Sequence, residues 1–237
     1  MASLVAVDNK KHLNTKIDLN KVEHHGANLP LIPVVLAEFI HLAVQYPIVL
    51  TKNGDTGQFV FSAMLGFEEN ENLFWQQAQW QGLYVPLQIR RQPFFVETSD
   101  EKHHNELAIC LNTDSPAVSE EIGQALFDEK GDESSYFKTV KANLTQLLLG
   151  EKENKVLIAT LTSMALIKPM SLDITFMNQG ATKLAGLYTI DEVKLAALNN
   201  EQILSLHQSG LLSAIHTMMI SLGQIHTLID LKNKSLS

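Results

Sequence analysis

The chain predicts an α+β fold. An N-terminal, antiparallel β-rich part with one buried helix is followed by a mainly helical C-terminal part that carries a second β-hairpin. Three observations predict it. Runs rich in β-branched and aromatic residues crowd the first half, with a turn signal between two of them in "IVLTKNGDTGQFVFSAM". From Ser135 onward apolar residues recur at helical spacing: Phe137, Val140, Leu144, Leu147 and Leu148. Two further strand-like runs, 172 to 177 and 182 to 190, flank "NQGA" inside the helical half. The change of character near residue 130 separates residues 1–130 from residues 131–237, or marks a transition within one continuous domain.

The elements follow in order. "SLVAVD" reads as an edge strand, and a loop around His24, His25 and Gly26 follows it. Residues 30 to 46 read as a buried helix. Leu36, Phe39, Ile40, Ala43 and Val44 share one face, Pro33 opens the helix and Pro47 stops it. Residues 48 to 52 and 58 to 65 form a hairpin around "NGDTG", where Asn and Gly supply positive φ cheaply. Segments 83 to 96 and 106 to 112 read as strands or extended pieces. Pro86 and Pro93 push the first of them to an edge. Residues 97 to 105 make a charged loop that includes His103 and His104, and 113 to 133 are acidic and irregular.

In the second half, Ser134 or Ser135 caps a helix, and 154 to 166 give another that ends before Pro169. Asp191 and Asn199 cap two short helices, and Gly210 stops the second. A last helix runs over 211 to 231. His216, Gln224 and His226 make it a core helix in this reading, not a membrane span.

Composition narrows the function classes. The net charge of −8 and a pI near 5.6 exclude a general nucleic-acid binder, which needs a basic field to displace phosphate counterions. They also disfavour docking on an acidic membrane. The lone cysteine, Cys110, excludes an internal disulfide and sits in the strand-like "ELAICLN" as a core residue. No basic run precedes an apolar core at the start of the chain, so a cytoplasmic protein without membrane insertion is expected.

No G-x-G-x-x-G, P-loop, G-x-S-x-G or C-x-x-C motif is present, so no cofactor is expected. Nine histidines raise the question of a metal. Glu38 and His41 form one E-x-x-H on the predicted helix, but a di-iron bundle needs a second copy and further glutamates. No metal site is expected.

The densest polar-aromatic segment is "QWQGLYVPLQIRRQPFF". Arg90 and Arg91 are the chain's two arginines; of the 18 cationic residues the other 16 are lysines. A planar guanidinium fork suits carboxylate, phosphate and aromatic faces where a lysine is a point charge. In a strand the pair would face opposite sides, one pairing with a carboxylate such as Glu38, Glu71 or Asp128 and the other facing outward. Trp80 and Tyr84 stand close by in sequence. In "EENENLFW" Glu71 and Asn72 suit either a ligand or a turn. Arg90, Arg91, Trp80, Tyr84, Glu38 and Asn72 are therefore the candidate binding residues.

The ordered set "IPVVLAEF", "YPIVL", "LGF", "ENLF", "YVP", "IRRQPF", "LFDE", "GLYTIDEVKLAAL" and "SLGQIHTL" resembles the bacterial SapC-like family over about residues 30 to 230. The resemblance implies links to a surface-layer locus. It also implies links to proteins encoded beside flavin-dependent halogenase-like enzymes, cupin-like proteins and outer-membrane receptors. It implies no catalytic residue set. The expected function is a non-catalytic accessory or binding protein that partners a modifying enzyme or binds a peptide or anionic ligand. Two alternatives stand beside it: an enzyme of unrecognised class built on Glu38, Tyr84, Arg90 and Asn72, and a self-assembling surface-layer-associated protein. A protein or peptide partner and a homo-oligomer are both compatible with the sequence.

Overall fold

A computed structural model describes residues 3–98, 107–178 and 180–236. His103, His104 and Gln179 lie outside them. The architecture is α+β, with antiparallel sheets and a helical C-terminal region. The chain divides into two compact units. The first comprises Met1–Gly26, Gln77–Trp80 and Leu87–Leu148; the second comprises Ala27–Gln76, Gln81–Pro86 and Leu149–Ser237. Residue 130 falls within the first.

In the first unit, Leu4–Ala6, Leu107–Asn112 and Phe94–Thr98 form one antiparallel sheet, with Leu107–Asn112 in the centre. The edge position expected for "SLVAVD" is what forms. Lys16–Ile17 lies between Val118–Ser119 and Gln124–Ala125 in a second, short-stranded sheet. Gly123 (φ 114°) makes the latter possible, because a Cβ there would sit 2.2 Å from the Ile17 carbonyl oxygen. Ile17, Phe94, Leu111, Leu126 and Phe127 fill the core with Phe137, Val140 and Leu144 of the long helix Ser135–Ser163. Ser134 caps that helix, its Oγ accepting from the Phe137 N–H at 3.1 Å. The separate helix expected over 154 to 166 is instead the continuation of this one. No proline or glycine pair interrupts it.

The second unit is built on a five-stranded antiparallel sheet in the order Ile167–Thr175, Ala181–Ile190, Ile48–Lys52, Phe59–Met64, Leu31–Pro33. The expected 48–65 hairpin forms. Asn53 Oδ1 accepts from the Asp55 and Thr56 N–H groups, and Gly57 takes φ 66°. The expected helix over 30 to 46 is corrected. Leu31–Pro33 is an edge strand, and only Leu36–Glu38 and Phe39–Leu42 are helical turns. Pro30 and Pro33 flank a β-branched pairing residue, and an edge strand tolerates the missing N–H of Pro33.

Pro169 does not stop a helix; it lies in the other edge strand, for the same reason. The long helix ends earlier, in a Schellman turn. The Ala165 N–H bonds Thr162 O, the Leu166 N–H bonds Leu161 O, and Ala165 itself takes the left-handed conformation (φ 53°). Asp191 and Asn199 cap Glu192–Ala196 and Asn200–Gln208 as the sequence predicts, and Gly210 (φ 74°) ends the second. The last helix is broken at Leu222–Gly223 into Leu211–Ser221 and Gln224–Ser235. Together these have the length and apolar composition of a membrane span, while Leu211, Ile215, Met218 and Leu228 are buried.

Candidate functional site

The candidate residues fall in both units. Trp80, Arg90 and Arg91 belong to the first, and Glu38, Asn72 and Tyr84 to the second.

In the first unit the strand expected around the arginines is corrected. Leu87–Arg90 is a single helical turn, and the strand begins only at Phe94. The pair therefore does not alternate across a sheet. Arg91 is half-buried. Its Nε donates to Gln88 Oε1 at 2.7 Å and its Nη1 to the Phe94 carbonyl at 2.8 Å, while its guanidinium stacks on Phe95 at 4.3 Å. The fork thus joins a helical turn to the start of a strand through neutral oxygens. Arg90 is exposed, with Nη2 3.4 Å from Oδ1 of the buried Asn143.

Two of the carboxylates considered for the pair are engaged elsewhere. Glu71 holds Lys232, and Asp128 Oδ1 accepts from the Lys130 and Asp132 N–H groups. Trp80 is buried against Gly26, where a Cβ would come within 2.7 Å of the indole ring. The Trp80 backbone N–H donates to Glu23 Oε2 at 3.1 Å. Nearby, His25 Nε2 meets Ser115 Oγ at 3.2 Å. Burial, and then the charges of Arg91 and His24, push the His25 pKa below its ordinary value.

In the second unit Glu38 and Tyr84 come together. Glu38 is fully buried at 0% exposure. Its Oε2 accepts from the Val35 N–H at 3.1 Å and its Oε1 from the Tyr84 hydroxyl at 3.2 Å. The His41 ring stacks on Tyr84 with centroids 5.3 Å apart. His41 thus serves as an aromatic face within the E-x-x-H. Among the described residues no three His, Cys, Asp or Glu side chains converge as metal ligands. The Tyr46 hydroxyl donates to the Tyr84 carbonyl at 2.7 Å, and Gln45 Oε1 accepts from the Leu83 N–H at 2.6 Å. Asn72 performs turn chemistry, its Oδ1 accepting from the Phe74 N–H at 2.9 Å, as Glu71 Oε2 does from the Phe67 N–H at 2.8 Å.

Three large apolar residues are exposed on the segments that carry this network. Ile40 is 71% exposed, Val44 62% and Leu83 85%. Ile40 lies in the helical turn Phe39–Leu42 and Val44 in the turn that follows it; this segment carries His41 against Tyr84 and Gln45 against Leu83. Helical periodicity over 30 to 46 places Ile40 and Val44 on the buried face, and it is silent about Leu83. A signal for Leu83 exists in "WQGLYVP", where a leucine sits in a turn that offers it no core position.

The class these features define is an α+β protein of two units interleaved along the sequence, with side-chain networks concentrated around residues 35–46 and 71–95. Residues 7–228 match the SapC family, nearly the whole chain, and the protein belongs to that family. No curated protein and no solved structure matches it.

Proposed function

We propose that this protein is a cytoplasmic bacterial accessory protein that acts by binding, and that a polypeptide partner docks on the strip formed by Ile40, Val44 and Leu83. The observation that carries this reading is Leu83. Its side chain is 85% exposed while its backbone is pinned to Gln45 and its neighbour Tyr84 is held by Glu38 and Tyr46. A flexible loop could turn such a side chain inward; a pinned one presents it at a fixed place. Exposed apolar side chains on a fixed backbone give affinity at low ordering cost, because the entropy of immobilisation is already lost on folding. The polar groups beside the strip are engaged in holding it, with both Glu38 oxygens and the Asn72 amide oxygen accepting internal hydrogen bonds. That favours a presenting role for Glu38, Tyr84 and Asn72 over a catalytic one.

The test is a photo-crosslinking residue placed at position 83 of the full chain in bacterial cells, with position 122 as control. Ile122 is exposed in the first unit. A discrete adduct from position 83 is expected, absent from position 122 and lost when Val44→Asp is added. No adduct at 83, or one indifferent to Val44→Asp, overturns the proposal. An adduct of twice the chain's mass would instead assign the strip to self-assembly.

A further inference from the structure

The second unit also holds a cleft that involves none of the candidate residues. Strand register puts Lys52 opposite Phe59, Leu50 opposite Tyr188, and Tyr188 opposite Pro169. Side chains two apart share a face, so Pro169, Tyr188, Lys52 and Phe59 lie on one face of the sheet. Thr162 and Ala165, at the end of the long helix, complete a cleft of about 170 Å³ with Phe59, Ile167, Pro169 and Tyr188. Phe59 and Tyr188 meet edge to face, with centroids 5.0 Å apart. The Lys52 ammonium stands 5.4 Å from each ring centroid.

Three features point to a ligand. The first is size. A cavity of roughly 150 Å³ with apolar walls accepts one benzene ring. The second is charge. Among the described residues Lys52 has no carboxylate within ion-pair distance, and its contacts are the two rings that line the cleft. The third is Ala165. The left-handed position of a Schellman turn favours glycine, yet here a methyl-bearing residue takes φ 53° and lines the cleft. The negative helix end at this wall is already met by Lys194, whose Nζ donates to the Ala165 carbonyl at 3.1 Å and pairs with Asp191 at 3.8 Å. A ligand anion therefore belongs at Lys52, whose ammonium lies beside two of the lining rings.

We propose that this cleft binds a small organic acid, with one aromatic ring or branched alkyl group in the cleft and its carboxylate on Lys52. The proposal is independent of the docking strip. The probes are phenylacetate, phenylacetamide, acetate and a Gly-Gly-Phe peptide, titrated into the full chain and followed by NMR of the Ala165 and Ile167 methyl groups. Phenylacetate is expected to shift these signals and to bind about tenfold more tightly than its amide, the difference a charge-assisted contact supplies. Acetate should leave them unmoved. Lys52→Gln should bring acid and amide to equal affinity. Ala165→Gly should raise the urea midpoint while weakening phenylacetate, a combination that a purely structural methyl would not produce. Equal binding of acid and amide by the unaltered protein, or no shift of the cleft methyls, overturns the proposal. Binding of the peptide but not of phenylacetate also overturns it, and assigns the cleft to a polypeptide C-terminus.

Discussion

Arg91 shows why a guanidinium and not an ammonium stands in this segment. Its two donors reach two oxygens on different elements, Gln88 Oε1 and Phe94 O, while its plane lies on Phe95. A lysine offers its donors from a single point instead of a planar fork, and stacks less well. Arg91→Lys is expected to cost about 1–2 kcal/mol in urea unfolding. An unchanged midpoint would remove the geometric argument. His25 sits beside it with a pKa below 6.5, held there first by burial and then by Arg91 and His24. The unfolded chain therefore binds more protons than the folded one between the lowered pKa and 6.5. Stability rises with pH through that window, is complete above 6.5, and is lost as pH falls through the folded pKa. His25→Gln should flatten the stability profile below pH 6.5 relative to the unaltered protein.

At the scale of elements, the long helix breaks a propensity rule for a packing reason. Gly150 lies in its interior, where alanine would ordinarily be favoured by about 1 kcal/mol. Here a Cβ would fall 2.5 Å from Val35 Cβ. Asn154, one turn on, donates to Val34 O at 2.8 Å and accepts from the Leu36 N–H at 3.0 Å, so the helix is drawn close to the 34–36 segment. Gly150→Ala is expected to destabilise by roughly 1–3 kcal/mol through overpacking, despite its better propensity. Val35→Ala in the same chain should recover some of that loss. In the strand Ala181–Ile190, Thr189 is buried, and among the described residues its hydroxyl has no hydrogen-bond partner. Thr189→Val removes that cost at nearly constant shape. A stabilisation of about 1 kcal/mol in thermal or urea unfolding is expected.

At the scale of the whole chain, the second unit brings together residues far apart in sequence. Lys232 of the last helix is buried, with Nζ 2.5 Å from Glu71 and 3.0 Å from Glu68. Burial by itself lowers its pKa, but Glu71 and Glu68 outweigh burial and raise it above the ordinary 10.5. Its contribution is therefore present at neutral pH and is lost only as pH rises through that raised value. Lys232→Met leaves Glu71 without its cation and is expected to cost roughly 3 kcal/mol. Because the pair is shielded from solvent, raising the salt should change the loss little, in contrast to the exposed Lys183–Asp173 pair. A loss that disappears in high salt would mean the pair is solvated.

Local chemistry was readable from the sequence wherever a short stretch settles its own backbone. Asn53 and Gly57 specify the first hairpin, Asp191 and Asn199 start their helices, Gly210 ends one, and Ser134 starts the long helix. The SapC resemblance was likewise readable from ordered motifs and holds over 7–228. Partnership at a distance was not. Whether Leu31–Pro33 is strand or helix depends on Phe59–Met64 offering it an edge, and periodicity over 30–46 contains no information about that edge. Candidate residues chosen for nearness in sequence, such as Trp80 and Tyr84, fall into different units because the chain crosses between them at Gln81. The cleft joins Phe59, Ala165 and Tyr188 from three distant stretches, each with an ordinary local pattern. The sequence determined turns, caps, family and fold class, since these rest on neighbours along the chain. Tertiary structure alone decided which side chains meet, because hydrogen bonds and burial between remote segments have no local signature.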